Sequence, residues 1–397
     1  MSGPIEHYLS TIAVLLVLFF ALAGCDDEAV EEPEVELRTE AVCEGGAPAY
    51  DVVVERHITE IGPSANDIQS AADALWIVES AANTVSRFDR GEHRLESGFV
   101  DVGNDRNPYA ADLDPATGEL WIANFIADTV TVADLNSGEI LEEIDDSSFA
   151  DPSAVALGED HAYVANIEFL GANEGYGPGS ITVVDRTSHN VVSTIESAFK
   201  NPHFIDIEVI DGKKVLLVSG GGAIEIVDGQ VSLLSDGGLQ WLDIEEDPVE
   251  PPSQEFSLEQ LPGDNVGSPG RPQLTPDQEL IYFASGIAPV LFVFDIEQED
   301  WRYDAADPLQ LYETDGEATH AADMGVDGLL WVTAFNEDAL YLFDTACDEL
   351  VAPPIDLGRA ADMLEGPQAL RIVEEGGRLE GYYLLSIANA LGRVQLK

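Results

Sequence analysis

The chain has 397 residues, with 17 lysines and arginines against 76 aspartates and glutamates, a formal charge of −59. That balance excludes a nucleic-acid-binding protein, because a phosphate backbone would be repelled across the whole surface. With 45% hydrophobic and 23% charged residues the composition is still that of a globular protein with a substantial core, so the charge must sit mostly on its surface.

In chain order, the first feature is an apolar run from Ile12 to Ala23, unbroken by charge, too short to span a bilayer comfortably and suited to the core of a signal peptide. It ends in Leu22-Ala23-Gly24-Cys25, which resembles the bacterial lipobox. The leading segment Met1 to Ser10 departs from that pattern, since it carries Glu6 and His7 but no Lys or Arg. The resemblance implies that residues 1–24 are a lipoprotein signal peptide and that Cys25 is diacylated on its thiol. Membrane lipid is then a partner, and the location is the bacterial cell envelope, lipid-anchored and extracytoplasmic. From Asp26 to Glu44 there are nine acidic residues and one arginine, with Pro33 and no apolar period. Such a stretch stays extended and solvated, so residues 25–47 are expected to be a tether.

Residues 48–397 repeat one pattern: a short apolar strand, a turn, an aromatic-led strand, a turn, then an alternating strand ending in Asp. The second strands are Leu75-Trp76-Ile77-Val78, Leu120-Trp121-Ile122-Ala123, Tyr163-Val164-Ala165, Val215-Leu216-Leu217-Val218, Ile281-Tyr282-Phe283-Ala284, Leu330-Trp331-Val332-Thr333 and Tyr382-Tyr383-Leu384-Leu385. Six third strands close in aspartate, at Phe88-Asp89, Ala133-Asp134, Val184-Asp185, Val227-Asp228, Phe294-Asp295 and Phe343-Asp344. Seven copies give a period of about 50 residues, near that of four-stranded propeller blades and far from helical repeats of about 34. Alternation as in Thr129-Val130-Thr131-Val132, with turn pairs such as Asp211-Gly212, belongs to antiparallel meanders. The fold class is therefore all-β, a seven-bladed β-propeller of four-stranded antiparallel blades. Tyr163-Val164-Ala165-Asn166, followed by Ile181-Thr182-Val183-Val184-Asp185-Arg186-Thr187, resembles the YVTN-type β-propeller repeat. The last copy supplies only three strands, whereas Tyr50 to Thr59 is an orphan strand before the first blade. A ring needs its open edges paired, so the N-terminal strand is expected to close the seventh blade from outside.

With Cys25 assigned to lipid, Cys43 and Cys347 remain in an oxidising setting. Cys347 falls in the bottom turn between strands three and four of the sixth blade, and Cys43 lies just before the orphan strand entering the seventh from that side. A disulfide between them is expected. Two separate thiols are the alternative.

HExxH, Walker, GxSxG and CxxC motifs are all missing. Propellers place ligands at the top face, where each first strand enters beside the central channel. The residues expected there are Asn66, Tyr109, Ser153, His203, Gln273 with Arg271 before it, His320 and Gln368. Of these, Tyr109, His203, Arg271 and His320, with Asn166 at the end of a second strand, are the candidate ligand-binding residues, expected to be solvated rather than core. Asn124, Asn166, Asn336 and Asn389 read otherwise as turn formers, and Asp112, Asp114 and Gly118 as a hairpin turn. Glu79 and Glu168 are the nearest carboxylates that could join the asparagines around a divalent cation as cofactor. Ile167 to Gly179 and Leu234 to Pro269, the latter with Trp241 and Glu245-Glu246-Asp247-Pro248, are expected to rise from the top face as insertions. The leading functional expectation is a binding or scaffold module taking a protein, glycan or small molecule on that face. The alternative is a metal-dependent hydrolase or lyase, lactonase-like, at the channel mouth; a redox propeller is a third.

The charge has its own implication. Only four lysines occur, Lys200, Lys213, Lys214 and Lys397. Concentrated salt would screen the self-repulsion of such a surface, which resembles those of halophilic proteins. A cation-binding surface gives the same totals.

Overall fold

The computed structural model describes residues 51–396 apart from 172–174, 228–229, 260–266, 312–318, 352, 359–363 and 376–377. The signal segment, Cys25, the tether and Cys43 lie outside the described residues, as does the expected pairing of Cys43 with Cys347. Regular structure among the described residues is all strand.

Blade 2 shows how the repeat folds. Pro108–Asp114, Glu119–Asn124, Thr129–Asp134 and Ile140–Asp145 pair antiparallel in that order, from the channel outwards. Its second strand is buried on both faces, because both neighbouring blades pack on it, whereas the outermost strand is largely exposed. The aspartate that closes each third strand has a local cause. Asp134 Oδ1 accepts the backbone amides of Asn136 and Ser137, holding the next hairpin turn, and Asp89, Asp185, Asp295 and Asp344 do likewise.

Seven such blades form a ring. Blade 1 spans residues 65–101, blade 2 108–145, blade 3 152–196, blade 4 202–258, blade 5 269–310, blade 6 319–356 and blade 7 367–396, the outermost strand of blades 5 and 6 being broken into two segments. The seventh contributes Pro367–Glu375, Arg378–Leu385 and Ala390–Leu396, and Val52–Glu60 pairs antiparallel with the last of these, Val52 opposite Leu396. The N-terminal strand thus closes the ring as the repeat pattern requires. The core divides into clusters shared by adjacent blades. One joins Val78 and Val85 of blade 1 to Leu120 and Ile122 of blade 2, and another joins Leu75 and Ile77 of blade 1 to Tyr382 and Leu384 of blade 7. Between blades 6 and 7 the Trp331 ring fills the space where Gly381 lacks a side chain; a Cβ there would lie 2.6 Å from the indole.

Blade 4 departs from the sequence reading. Its third strand is Gly237–Asp243, paired with Lys213–Gly220, and not the segment ending at Val227-Asp228. Ile224–Val227 and Gln230–Leu233 instead form a separate hairpin inserted between strands two and three. Most of the segment from Leu234 to Pro269 is therefore not an insertion: Trp241 lies on the third strand, Ser253–Leu258 is the fourth, and Glu245-Glu246-Asp247-Pro248 belongs to the bottom turn between them. Asp243 Oδ1, holding the Glu246 amide, is the true counterpart of Asp134. Local alternation is the same in an inserted hairpin and in a blade strand. Only burial of Leu239 and Leu242 against the neighbouring blades decides between them. The other insertion is present in blade 3 as the hairpin Phe169–Gly171 and Gly175–Tyr176.

Candidate functional site

The first strands start alike. A residue in left-handed conformation (Ser64, Asn107, Asp151, Asn201 or Gly366) precedes Ala65, Pro108, Pro152, Pro202 or Pro367. The next position is a β-bulge in each case, leaving one residue without a partner on the second strand: Asn66, Tyr109, Ser153, His203 and Gln368. A bulge re-aims the extra side chain. These five line one cavity of about 80 Å³ at the upper mouth of the channel. Blade 6 has the same register shift between Thr319 and Ala322, which puts His320 at the corresponding backbone position; its side chain lies outside the described residues.

Tyr109 and His203 meet directly, hydroxyl to Nε2 at 3.1 Å, with the rings edge to face. Burial pushes the Tyr109 phenol above its ordinary value, so it stays a neutral hydroxyl. Tyr176, on the blade 3 insertion, is pushed up to about 12, also by burial, and Lys200 Nζ donates to its carbonyl. Across the mouth Gln368 Nε2 donates to Asn66 Oδ1 at 3.2 Å, while Asn66 Nδ2 donates to Ser80 Oγ. Ser153 Oγ donates to the Pro202 carbonyl of the next blade.

Blade 5 differs from expectation. Its strand starts at Pro269, bridged to Ser285, so Gly270 takes the bulge position, Arg271 lies one step further in, and Gln273 lies deeper still. Arg271 therefore forms the floor of the upper cavity rather than its rim. Its Nη2 lies 3.7 Å from Asp67 Oδ1, and the nearby carboxylates of Asp67, Asp206, Asp323 and Asp112 hold its guanidinium above its ordinary value despite burial. Removing it would leave those carboxylates facing one another, so it also has a structural role.

Below Arg271 is a layer the sequence reading missed. Counting four residues inward from each strand start gives Gln69, Asp112, Ala156, Asp206, Gln273, Asp323 and Arg371. Asp112 Oδ2 accepts the Leu157 amide of blade 3 and Asp323 Oδ2 the Ile372 amide of blade 7, while Arg371 donates to Gln69 Oε1 of blade 1. Asp67, higher up, bonds the Ala111 amide of blade 2 in the same way. Burial pushes Asp112 up to about 6 against the two amides it accepts. The available signal was the constant spacing from the strand starts, visible only once the bulge is known.

The remaining candidates serve their own blades. Asn166 donates to Thr182 Oγ1 and Ser180 Oγ and accepts the Ala150 amide, holding the turn at the end of its strand. Glu79, fully buried, accepts Gly62 N, Thr84 Oγ1 and Ser86 Oγ. Glu168 lies at the base of the blade 3 insertion, where its carbonyl accepts the Gly177 amide and its carboxylate approaches the Gly179 amide at 3.4 Å. Among the described residues no three His, Cys, Asp or Glu side chains are grouped to hold a metal ion.

No protein-family model matches the chain, and no curated protein sequence is similar to it. Solved structures are similar in fold. Hydrazine synthase of Kuenenia stuttgartiensis is 16% identical with a TM-score of 0.60, covering 85% of this chain and 97% of that one. A streptogramin B lyase is 12% identical at 0.63, covering 87% and 98%. Virginiamycin B lyase from Staphylococcus aureus is 13% identical at 0.63, covering 88% and 100%. At these identities the likeness reaches the architecture alone, and on it, with the strand order above, the chain is a seven-bladed β-propeller.

Proposed function

We propose that the protein is a lipid-anchored, extracytoplasmic binding propeller of YVTN type, held at the bacterial envelope through acylated Cys25 and recognising its ligand at the upper channel mouth. The observation that carries this reading is the shared bulge, which turns five polar side chains from five blades into one small cavity. The lining offers amides, hydroxyls and an imidazole, with the Arg271 charge balanced by Asp67 beneath. Such a surface suits the uncharged, hydroxyl-bearing end of a ligand such as a glycan, and about 80 Å³ admits only its terminal group. The insertion carrying Tyr176 stands beside Tyr109 and widens the contact surface.

The test is a hydrogen-exchange footprint with a panel of neutral oligosaccharides, on the native chain and on Tyr109→Phe and His203→Ala. Protection at the first-strand starts, lost in both variants with melting temperature nearly unchanged, supports the reading. Protection mapping to the bottom hairpin at Asn136 and Ser137 overturns it. A divalent ion retained in stoichiometric amount, with hydrolytic or lyase turnover abolished by chelator, would favour the metal-dependent enzyme instead.

A further inference from the structure

The channel has a second, lower chamber, of about 440 Å³, which shares Arg271 and Asp323 with the upper cavity and is otherwise lined by groups that the upper-site reading does not use. It lies at one of the seams that no carboxylate-to-amide bond spans among the described residues. Asp67, Asp112 and Asp323 each give one carboxylate oxygen to a backbone amide of the next blade. Asp206 of blade 4 holds the equivalent position to Asp112 and Asp323, yet among the described residues it accepts only its own Ile207 amide. The equivalent amide in blade 5 belongs to Leu274, on the short strand Gln273–Leu274 between Pro272 and Pro276.

Two residues below Asp206, on the same face of the strand, is Glu208. Neither carboxylate forms an ion pair with the described residues, and Glu208 accepts no hydrogen bond from them. The two guanidinium groups in the chamber are engaged elsewhere, Arg271 toward Asp67 and Arg371 with Asp323 and Gln69. Asp206, Glu208 and Asp323 thus outnumber Arg271 and Arg371 by one negative charge. The remaining wall is apolar, with Leu274, Pro276, Met324 and Val326, the last 68% exposed at the rim. Burial pushes Glu208 up to about 7 and raises Asp206 as well, the latter against the pull of Arg271 and Arg371.

We propose that the lower chamber, at the seam of blades 4 and 5, is a second binding site for a small organic cation, with Asp206 and Glu208 receiving its ammonium group and Leu274, Pro276, Met324 and Val326 its apolar chain. A bare metal ion would leave the apolar wall unused, and an anion would meet the surplus charge. The site is separated from the upper cavity by Arg271, so either can exist without the other.

Calorimetric titration of the whole protein with butylammonium at low salt tests this, with butyrate and 1-butanol as controls. Butylammonium should bind at one per chain and the controls should not. Glu208→Gln and Asp206→Asn should each weaken it by about tenfold or more, as expected for loss of a partly desolvated charge partner. Glu142→Gln, on the exposed outer strand of blade 2, should leave it unchanged. Thermal melts of each variant check folding. The proposal is overturned by binding of many equivalents per chain, by equal loss in Glu142→Gln, or by unaltered affinity in a folded variant lacking both Asp206 and Glu208 carboxylates.

Discussion

The Asp112 carboxylate of blade 2 accepts the Leu157 backbone amide of blade 3 at 2.8 Å while its other oxygen accepts the Leu113 amide. The bond ties two blades at the channel wall, where no side chain of blade 3 does so, Ala156 being the residue at that level. Asp112→Ala should leave both buried amides without this acceptor and cost about 1–3 kcal/mol. Urea unfolding followed by tryptophan fluorescence measures it; an unchanged midpoint would show that water replaces the carboxylate at no cost.

Glu208 gives a pH dependence of defined sign. Its pKa is raised by burial from 4.5 in the unfolded chain to about 7 in the folded one, so the folded state holds the proton longer. Stability from this group is therefore full below about pH 4.5 and falls as pH rises to about 7. Glu208→Gln removes the titration. The variant should match the parent near pH 4.5 and exceed it above pH 7, by on the order of 1–2 kcal/mol after allowance for solvent in the chamber. Melting curves of both across that range decide it, and a constant difference between them would reject the assignment.

Ring closure depends on the N-terminal strand. Val54 pairs with Val394, and Val52 and Val54 pack on the cluster that includes Trp331 and Tyr383. Val54→Pro puts a residue without an amide into this strand and should lower the melting temperature. Blade 7 would then present a free edge, and light scattering should show self-association on warming. A variant as stable and as monomeric as the parent would mean that the ring holds without its closing strand.

Two covalent expectations rest on Cys25 and Cys43, which lie outside the described residues. Cys25→Ser should move the protein from the detergent-dependent fraction into the soluble extracytoplasmic fraction, because Cys25 is the one proposed lipid attachment. In the mature protein Cys43 and Cys347 should take up alkylating reagent only after reduction, read as a mass increase. Retention of Cys25→Ser with the membrane, or alkylation without reductant, would refute the lipid anchor and the disulfide respectively.

The surface charge predicts a response to salt. At −59, screening should relieve self-repulsion, so the melting temperature should rise between dilute buffer and molar KCl. No rise would remove the support for a saline habitat.

The sequence by itself determined the blades. Alternation along Thr129–Asp134, the aromatic-led second strands and the aspartates that hold the hairpin turns are local effects, set by neighbours within a few residues, and an unpaired strand at one end with a missing one at the other leaves a single economical closure. The convergence of Tyr109 and His203 was also legible, because both follow the proline that starts a first strand. The tertiary structure alone decided the rest. A one-residue bulge shifts everything after it, placing Arg271 beneath the mouth and creating the aspartate layer. In blade 4 the alternation at Ile224–Val227 is as regular as any blade strand, and only packing against blades 3 and 5 gave the third-strand position to Gly237–Asp243. Whether a carboxylate such as Asp206 meets a backbone amide of the next blade depends on how closing the ring sets the two strands against each other, which is written in no local stretch of chain.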